Sequence, residues 1–538
     1  MMVPEFLAAS RRAPVALVCL LLVVFVIVVW RNAWLGDDAF ISFRVAENLV
    51  EGYGLRWNVA ERVQAFTNPL WTLVVAGGAF FTREFYYTSL VLSLVATIGA
   101  VLLVVLQARG AWAAAAAVGL LLSSRAFVDY STSGLENALG HLLLAAFLVA
   151  VLRGEPVGRR LLLASVLAAL LMVNRMDMLL IVAPPLVWSV VRAPSRRRAL
   201  ATVALGMTPF VAWMVFATLY YGFPFPNTAY AKLGAGIPRA ELWAQGLRYV
   251  ANFARHDTLA LVTLIGGIVV AVRARRGMPI AIALGVVAYV VYVVNVGGDF
   301  MRGRFFTLPI LASVVLVLHV GAAFRPRWAM VVLAVALGWS VLVPSSPLRT
   351  DPRSYLDLPE DARFLDGHGI ADERSFYFRG TSPMLAGGRG EMPAHEWADW
   401  GRRARDQRAT GIAVVSAAGM RAFFAGPRVH FIDRYGLGDP LMSRLPPDPA
   451  RPWRIGHIHR EPPEGYRETL KSGVNQMQDD ALVDLVGILH VITRHPVWSW
   501  ERLRTIWDFN TGRHARLVDI VGARHVERRR MAERRSPN

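Results

Sequence analysis

Residues 13–30 read APVALVCLLLVVFVIVVW, and after a short break residues 35–58 read LGDDAFISFRVAENLVEGYGLRWN. The first stretch is uncharged and close to the ~20 residues an α-helix needs to cross hydrocarbon. Arg11 and Arg12 precede it, and Trp30-Arg31-Asn32 follows in place of a small-residue cleavage site. It is therefore expected to remain as a membrane anchor, not to be removed as a secretory signal. In the second stretch Phe40, Ile41, Phe43, Val45 and Leu49 form an uneven apolar face opposite Arg44, Glu47 and Glu51. That pattern predicts an interfacial amphipathic helix with Asp37-Asp38 at its start. Two readings of this pair stand open: carboxylates that cap their own helix, or a general base whose proton affinity the neighbouring charge raises.

Working outward, the chain of 538 residues is 55% hydrophobic and 18% charged, too apolar for a soluble globular protein of this length. The formal charge of +19 does not point to nucleic acid, because the basic residues fall in short clusters between apolar runs. They are nearly all Arg, part of which is compositional bias, with Lys only at Lys232 and Lys471. Cys19 is the single cysteine, so neither a disulfide framework nor a thiolate metal site can form within one chain. Further apolar runs lie near 85–107, 111–123, 135–152, 161–173, 176–191, 199–220, 258–272, 278–296, 305–323 and 328–343.

Arginines cluster at every second connection: 11/12, 109, 153/159/160, 192/196–198, 273/275/276 and 325/327. These are expected to be the cytoplasmic loops. The alternation requires that 69–82 does not cross independently. It gives about eleven spans, with the N-terminus inside and the region after Val343 outside. The outer connections are then 31–68, 123–137, 174–177, 220–257 and 295–304. The expected fold is mainly α: a polytopic helical bundle (1–343), an extracytoplasmic α/β domain (344–520) and a basic, disordered tail (521–538). Within the second part GIAVVSAAG (411–419) and VHFID (429–433) are strand-like, with a helix-compatible MRAFF between them. No repeat at a solenoid period is present.

The remaining polar motifs gather on the predicted outer side. YGFPFPNTAYAKLG (221–234) offers Asn227, Tyr230 and Lys232 on a proline-broken loop, and NVGGDFMRGRFF (295–306) offers Asp299, Arg302 and Arg304. A lipid phosphate would lie at such a height, although a solvated connector and a tight turn with an arginine anchor account for the same residues. Glu136 in SGLEN, and Arg175 and Asp177 in NRMD, sit at outer ends of spans, where charge is costly unless paired or used. FIDRYGLGDP (431–440) places Asp433, Arg434 and Asp439 just past a predicted strand, where either a binding loop or ordinary turn chemistry fits. GHIHR (456–460), HEWAD (395–399) and AGGRG (386–390) match no metal or nucleotide motif. No cofactor is expected, and no motif supports a divalent metal.

In their order along the chain, DDAFISFRVAENLVEGYGL, NVAERVQAFTNPLWT, FPNTAYAKL, GGDFMRGRFF and DRYGLGDP resemble the AftB-type terminal arabinofuranosyltransferases and their bacterial relatives. The resemblance runs from about residue 30 to 460 and is dense only in these islands. It implies the GT-C fold and a polyprenyl-phosphate sugar donor, with an acidic motif in the first outer loop that falls here on Asp37-Asp38. It also implies a bacterial cytoplasmic membrane location with the active site outside, and a role in cell-wall biogenesis. The chain is shorter than those enzymes and its C-terminal part diverges, which leaves the acceptor open among glycan, lipid and surface protein.

On that footing Asp37 or Asp38 would take a proton from an acceptor hydroxyl attacking the anomeric carbon, with inversion. Lys232, Arg302 and Arg304, and more weakly Arg44 and Arg175, would hold the leaving phosphate. Glu136, Asp177, Asn227, Tyr230, Asp299, Asp433, Arg434 and Asp439 would line the substrate. Alternatives are a GT-C transferase for another sugar or acceptor, and a non-catalytic transport or motility factor. The gathering of polar motifs at one face, not at the bilayer midplane, argues against transport.

Overall fold

The computed structural model describes residues 12–154, 157–275, 277–320, 326–350, 364–386 and 391–535. Arg11, Arg276 and Arg325 of the predicted inner loops, and most of 386–390, lie outside the described residues. The chain is mainly helical and divides by packing into two compact units that interleave along the sequence.

The first unit comprises 1–36, 86–210 and 239–392. Helices Ala13–Arg31, Tyr86–Gln107 and Gly277–Asn295 are long and apolar enough to cross a membrane, and two bent helix pairs could each add a span. The chain is thus a membrane protein. Between these lie shorter apolar helices, among them Ala111–Ser123, Asn137–Leu152 and Pro326–Leu342. Their outward residues, such as Leu20, Val95, Leu163 and Val262, are exposed large hydrophobics that only lipid would cover without cost. Small residues bring the helix backbones together, as expected where lipid-excluded packing drives association. A Cβ on Gly285 would lie 2.4 Å from the Ile181 carbonyl oxygen, and one on Gly267 would lie 2.7 Å from Ser313.

The second unit comprises 37–85, 211–238 and 393–538. Strands Gly411–Val415 and Val429–Asp433 pair in parallel, Gly411 opposite Val429 and Val415 opposite Asp433, and helix Gly419–Ala425 connects them. Ile432, Met442, Leu485, Leu489, Ile492 and Ile506 form the core beneath. The first outer loop and the proline-broken loop pack into this unit, so compactness groups the chain differently from a linear cut at residue 343.

Helix Asp37–Val50 departs from the interfacial helix expected of it. Ten of its residues are buried, Arg44 among them. Phe40 and Phe43 meet Phe423 at ring-centroid distances of 5.6 and 6.3 Å. The Arg44 Nε donates to the Trp57 carbonyl (2.6 Å), Nη1 to Ala422 and Gly426, and Nη2 to Val429 (2.9 Å). The guanidinium closes the C-terminal end of helix Gly419–Ala425, where orphan carbonyls and the helix dipole favour a cation. With all three nitrogens on backbone carbonyls, Arg44 is not the phosphate ligand proposed for it. Its periodicity showed a polar face, and burial converted that face into an internal strut.

Segment Pro69–Thr82 is a separate helix whose cap at Arg83 adopts a left-handed conformation, and at ~1.5 Å per residue it falls short of a bilayer. The basic tail, expected to be disordered, is helical over Ala515–Arg535. Arg524 and Arg528 pair with Asp479, and Arg529 with Asp448, which compensates much of its charge.

Substituting Arg44 by Met would remove a donor from four carbonyls, of which that of Trp57 keeps a bond from Asn48 (3.3 Å), at about 1–3 kcal/mol for each carbonyl left unpaired. The variant should lose at least about 3 kcal/mol and fail to yield monodisperse protein after detergent extraction. Arg44→Lys should recover only part of this, because an ammonium cannot span four acceptors. An unchanged melting profile for Arg44→Met would remove the strut role.

Candidate active site

Among the described residues, polar side chains cluster in both units. In the second unit Asp37 is 6% exposed, and its carboxylate accepts the N–H groups of Gly419 (3.0 Å) and Met420 (2.7 Å). It therefore caps a helix from the far end of the sequence. A Cβ on Gly419 would lie 1.8 Å from the Asp37 carbonyl oxygen, so only glycine permits the approach. Burial, with the charge of Asp38 added and the two N–H groups opposing, pushes the Asp37 carboxyl up to about 6.

Asp433, at the end of its strand, is fully buried and accepts from the backbone N–H of Tyr435 (3.0 Å) and Leu437 (2.6 Å). Burial raises it to about 6, and Asp38 contributes here too. Asp38 is the part-exposed member of the trio, electrostatically coupled to both buried carboxyls. Past Asp433, Tyr435 hydrogen-bonds to Ser416 and stands edge-on to His457 at 5.0 Å. Burial, then Arg454 and exposed Lys232, depress His457 to about 3, which keeps the ring neutral between two cations. The unit thus offers a reachable carboxylate with a basic rim beyond it. Tyr435, Arg454 and His457 were not singled out as site residues from sequence, and only the fold brings them to this place.

Several expected ligands prove to be supports. Asn227 donates to the carbonyls of Gly436 (2.8 Å) and Asp439 (2.9 Å) and accepts from the Ser443 hydroxyl (3.0 Å). Asp439 is fully buried and accepts from the N–H of Leu441 and Met442 and from the Tyr466 hydroxyl. Arg434 pairs with Glu461, and Tyr230 packs against the Arg444 guanidinium (5.1 Å). These contacts hold the 433–442 turn and leave its Asp and Asn side chains little capacity for a substrate.

In the first unit Glu136, 1% exposed, uses one oxygen to bind both Arg175 (3.2 Å) and Arg304 (2.8 Å). Asp177 pairs with Arg175 at 2.5 Å, and Asp299 with Arg304 at 3.7 Å. Sequence motifs far apart do meet here, but three carboxylates face two guanidinia, a balance unsuited to an added anion. A second cleft is lined by Arg125, Asp129, His256, Arg302, Asp372 and Arg374. Asp372 binds Arg125 and Arg302 (3.0 Å), and Asp129 binds Arg374 (3.0 Å). Burial opposes ionisation of Asp372, yet Arg125, Arg302 and Arg374 outweigh it and hold the carboxyl well below its ordinary range. Asp257 and Glu373 line it as well, so three guanidinia meet four carboxyl groups here. Gly303 (φ +72°) is required there, since a Cβ would lie 2.8 Å from that of Ala126. Arg302 was anticipated, whereas Arg125, Asp129, Asp372 and Arg374 were not. The i, i+4 pair in RAFVD (125–129) was the available signal.

Among the described residues Asp448, His459 and Glu461 have donor atoms within 4.8 Å of one another. Arg529 already occupies Asp448 and Arg434 occupies Glu461, so a metal ion would face compensated charge.

No family profile matches the chain. It is 29% identical over 411 residues to the terminal β-(1→2)-arabinofuranosyltransferase of Mycobacterium tuberculosis, covering 65% of this chain and 63% of the relative. It is 28% identical over 364 residues to the enzyme of that name from Corynebacterium glutamicum, covering 58% and 52%. The matches thus span less than two thirds of each relative. The structure superposes on that of ArnT from Cupriavidus metallidurans with a TM-score of 0.52 at 13% identity, covering 80% of this chain and 87% of that one. That likeness is one of fold alone.

Asp37 and Asp433 hold their protons more tightly folded (about 6) than unfolded (near 3.8). Their stabilisation is complete below the unfolded value and is lost as pH rises through about 6. Asp372 and Glu61 are held low and act with the opposite sign, at more acid pH. Over about pH 4–6 the contribution of Asp37 and Asp433 falls while that of buried, neutral His457 rises, so Asp37→Asn should lose less, or gain more, melting temperature across that range than the unsubstituted protein. A slope unaltered by the substitution would contradict a buried, proton-retaining Asp37.

Proposed function

We propose that this chain is a polyprenyl-phosphate-dependent glycosyltransferase that transfers a pentose, arabinofuranose, to an extracytoplasmic cell-envelope acceptor. The carrying observation is the similarity over 411 residues to an arabinofuranosyltransferase; the GT-C-like fold agrees with it. In this reading the bundle has about eleven spans. The N-terminus is inside, residues after Val343 are outside, and the partners are a lipid-linked donor and a glycan acceptor.

A sugar used outside the cytoplasm must arrive activated, and a membrane-anchored phosphate ester meets that need. The bond from the anomeric carbon to the phosphate oxygen breaks, the acceptor oxygen bonds to that carbon, and the phosphate departs with the electron pair. Its second pKa near ~6 makes it a good leaving group without a strong acid.

In this reading the residues take unequal parts. Asp38 is the base, because it is part-exposed while Asp37 is spent on two backbone N–H groups. Asp37 and Asp433 are positioning residues, and Asp38 lies near enough to add to the burial that raises both. Cationic stabilisation of phosphate falls to Lys232 with Arg454, the basic groups of the same unit, whereas Glu136 holds Arg175 and Arg304 and Asp372 holds Arg302.

The test uses purified full-length protein, synthetic polyprenyl-phospho-arabinofuranose of known anomer, and arabinan acceptors. Asp38→Asn should lower turnover ~10²–10⁴-fold with its melting temperature retained. Direct displacement predicts a product anomer opposite to that of the donor, so a β-linked product requires an α-phospho donor. Product of the same anomer would replace the single displacement by a double one, with a carboxylate as nucleophile. Full activity in Asp38→Asn would remove the base, and no turnover with any lipid-linked sugar would remove the reading.

A further inference from the structure

Three tryptophans near the C-terminus of the second unit are among its most exposed large side chains: Trp498 (74%), Trp500 (79%) and Trp507 (66%). Helix Trp500–Asn510 buries Arg502 and Ile506 on one side. Trp500, Arg504 and Trp507 follow at i, i+4 and i+7 and so share the opposite side. Leaving three indoles in water forgoes a large burial gain, and soluble surfaces rarely do so in one patch.

The buried side of this helix identifies the surroundings. Arg502 donates to the carbonyls of Leu219 (2.7 Å) and Tyr220 (2.9 Å), the last turn of helix Thr208–Tyr221. Asn510 donates to the Gly222 carbonyl (2.9 Å). A Cβ on Gly222 would come within 2.2 Å of Ile492 and 3.4 Å of Ile506, so the contact is backbone-close. The helix that receives these bonds is the apolar half of a candidate span, with Val211 and Val215 exposed along its flank. Helix Trp500–Asn510 is therefore fastened across the end of a lipid-facing helix, at the depth where hydrocarbon gives way to headgroups. Indole favours that layer, since its ring is apolar and its N–H needs a polar partner. Exposed Arg504 between two of the indoles, with Arg513 nearby, adds attraction to anionic headgroups.

We infer that Trp498, Trp500 and Trp507, with Arg504, form a membrane-interface anchor that seats the second unit on the bilayer surface by inserting indoles among lipid headgroups. The occupant of this face is lipid. The attachment of this helix to the end of an apolar half-span, whose Val211 and Val215 are themselves exposed, carries that choice over a second protein. The inference does not depend on the transferase reading.

Sixteen tryptophans rule out intrinsic fluorescence as the probe, whereas Cys19 is the only cysteine. In a Cys19→Ser background, Trp507→Cys and, separately, Trp500→Cys would be labelled with an environment-sensitive fluorophore. Lys471→Cys, on exposed helix Tyr466–Ser472, serves as the aqueous control. In nanodiscs of zwitterionic and anionic phospholipid, the tryptophan-site probes should emit further to the blue than the control. Shallow doxyl lipids should quench them several-fold more strongly and aqueous iodide several-fold less. Iodide quenching equal to the control, without quenching by doxyl lipid, would overturn the anchor. So would shielding from both quenchers that disappears in discs holding one copy, because a second copy would then cover the face.

Discussion

A short carboxylate-to-backbone contact organises the second unit. Asp37 accepts two N–H groups at the head of helix Gly419–Ala425, and Arg44 binds the carbonyls at its tail. A seven-residue helix has little stability of its own, and here opposite charges from the one helix Asp37–Val50 hold both its ends. That double clamp fixes the strands on either side of the short helix, the turn after Asp433, and the place of Asp38. The acidic pair is therefore asymmetric: one member is consumed in building the site that the other occupies.

The same economy appears in the first unit. Its arginines are not idle cations awaiting a ligand, for each described pairing sets a guanidinium against a carboxylate. Acids outnumber bases in both networks: three carboxylates face two guanidinia around Glu136, and four carboxyl groups line the cleft of three guanidinia around Asp372. That self-pairing leaves either network little capacity for an added anion. It also explains why buried charge is retained at all, since self-paired networks at low dielectric cost stability unless position is what they supply.

Helix Trp500–Asn510 extends this pattern to the bilayer. Arg502 ties it to the end of an apolar helix, and the face opposite that bond is the one carrying exposed indoles. A buried arginine thus orients the aromatic surface, much as buried Asp37 orients Asp38.

By itself the sequence determined the membrane class, the apolar helices and the strand-like segments 411–415 and 429–433, because local hydrophobic period and length settle these. It also located the acidic pair and most of the residues that meet around Glu136. Tertiary structure alone decided the roles. Arg44, Asn227, Asp433 and Asp439 look like ligands on a polar face or loop, and become supports because distant backbone groups reach them first. Asp372 and Arg374 lie in a segment without a motif, and they, like Arg125, Tyr435 and His457, gain meaning only from partners that the fold brings to them. The tail was read as disordered from its charge, yet it forms a helix where Asp479 and Asp448 meet its arginines. Composition records how much charge a segment carries, whereas the location of the opposing charge is a property of the folded chain.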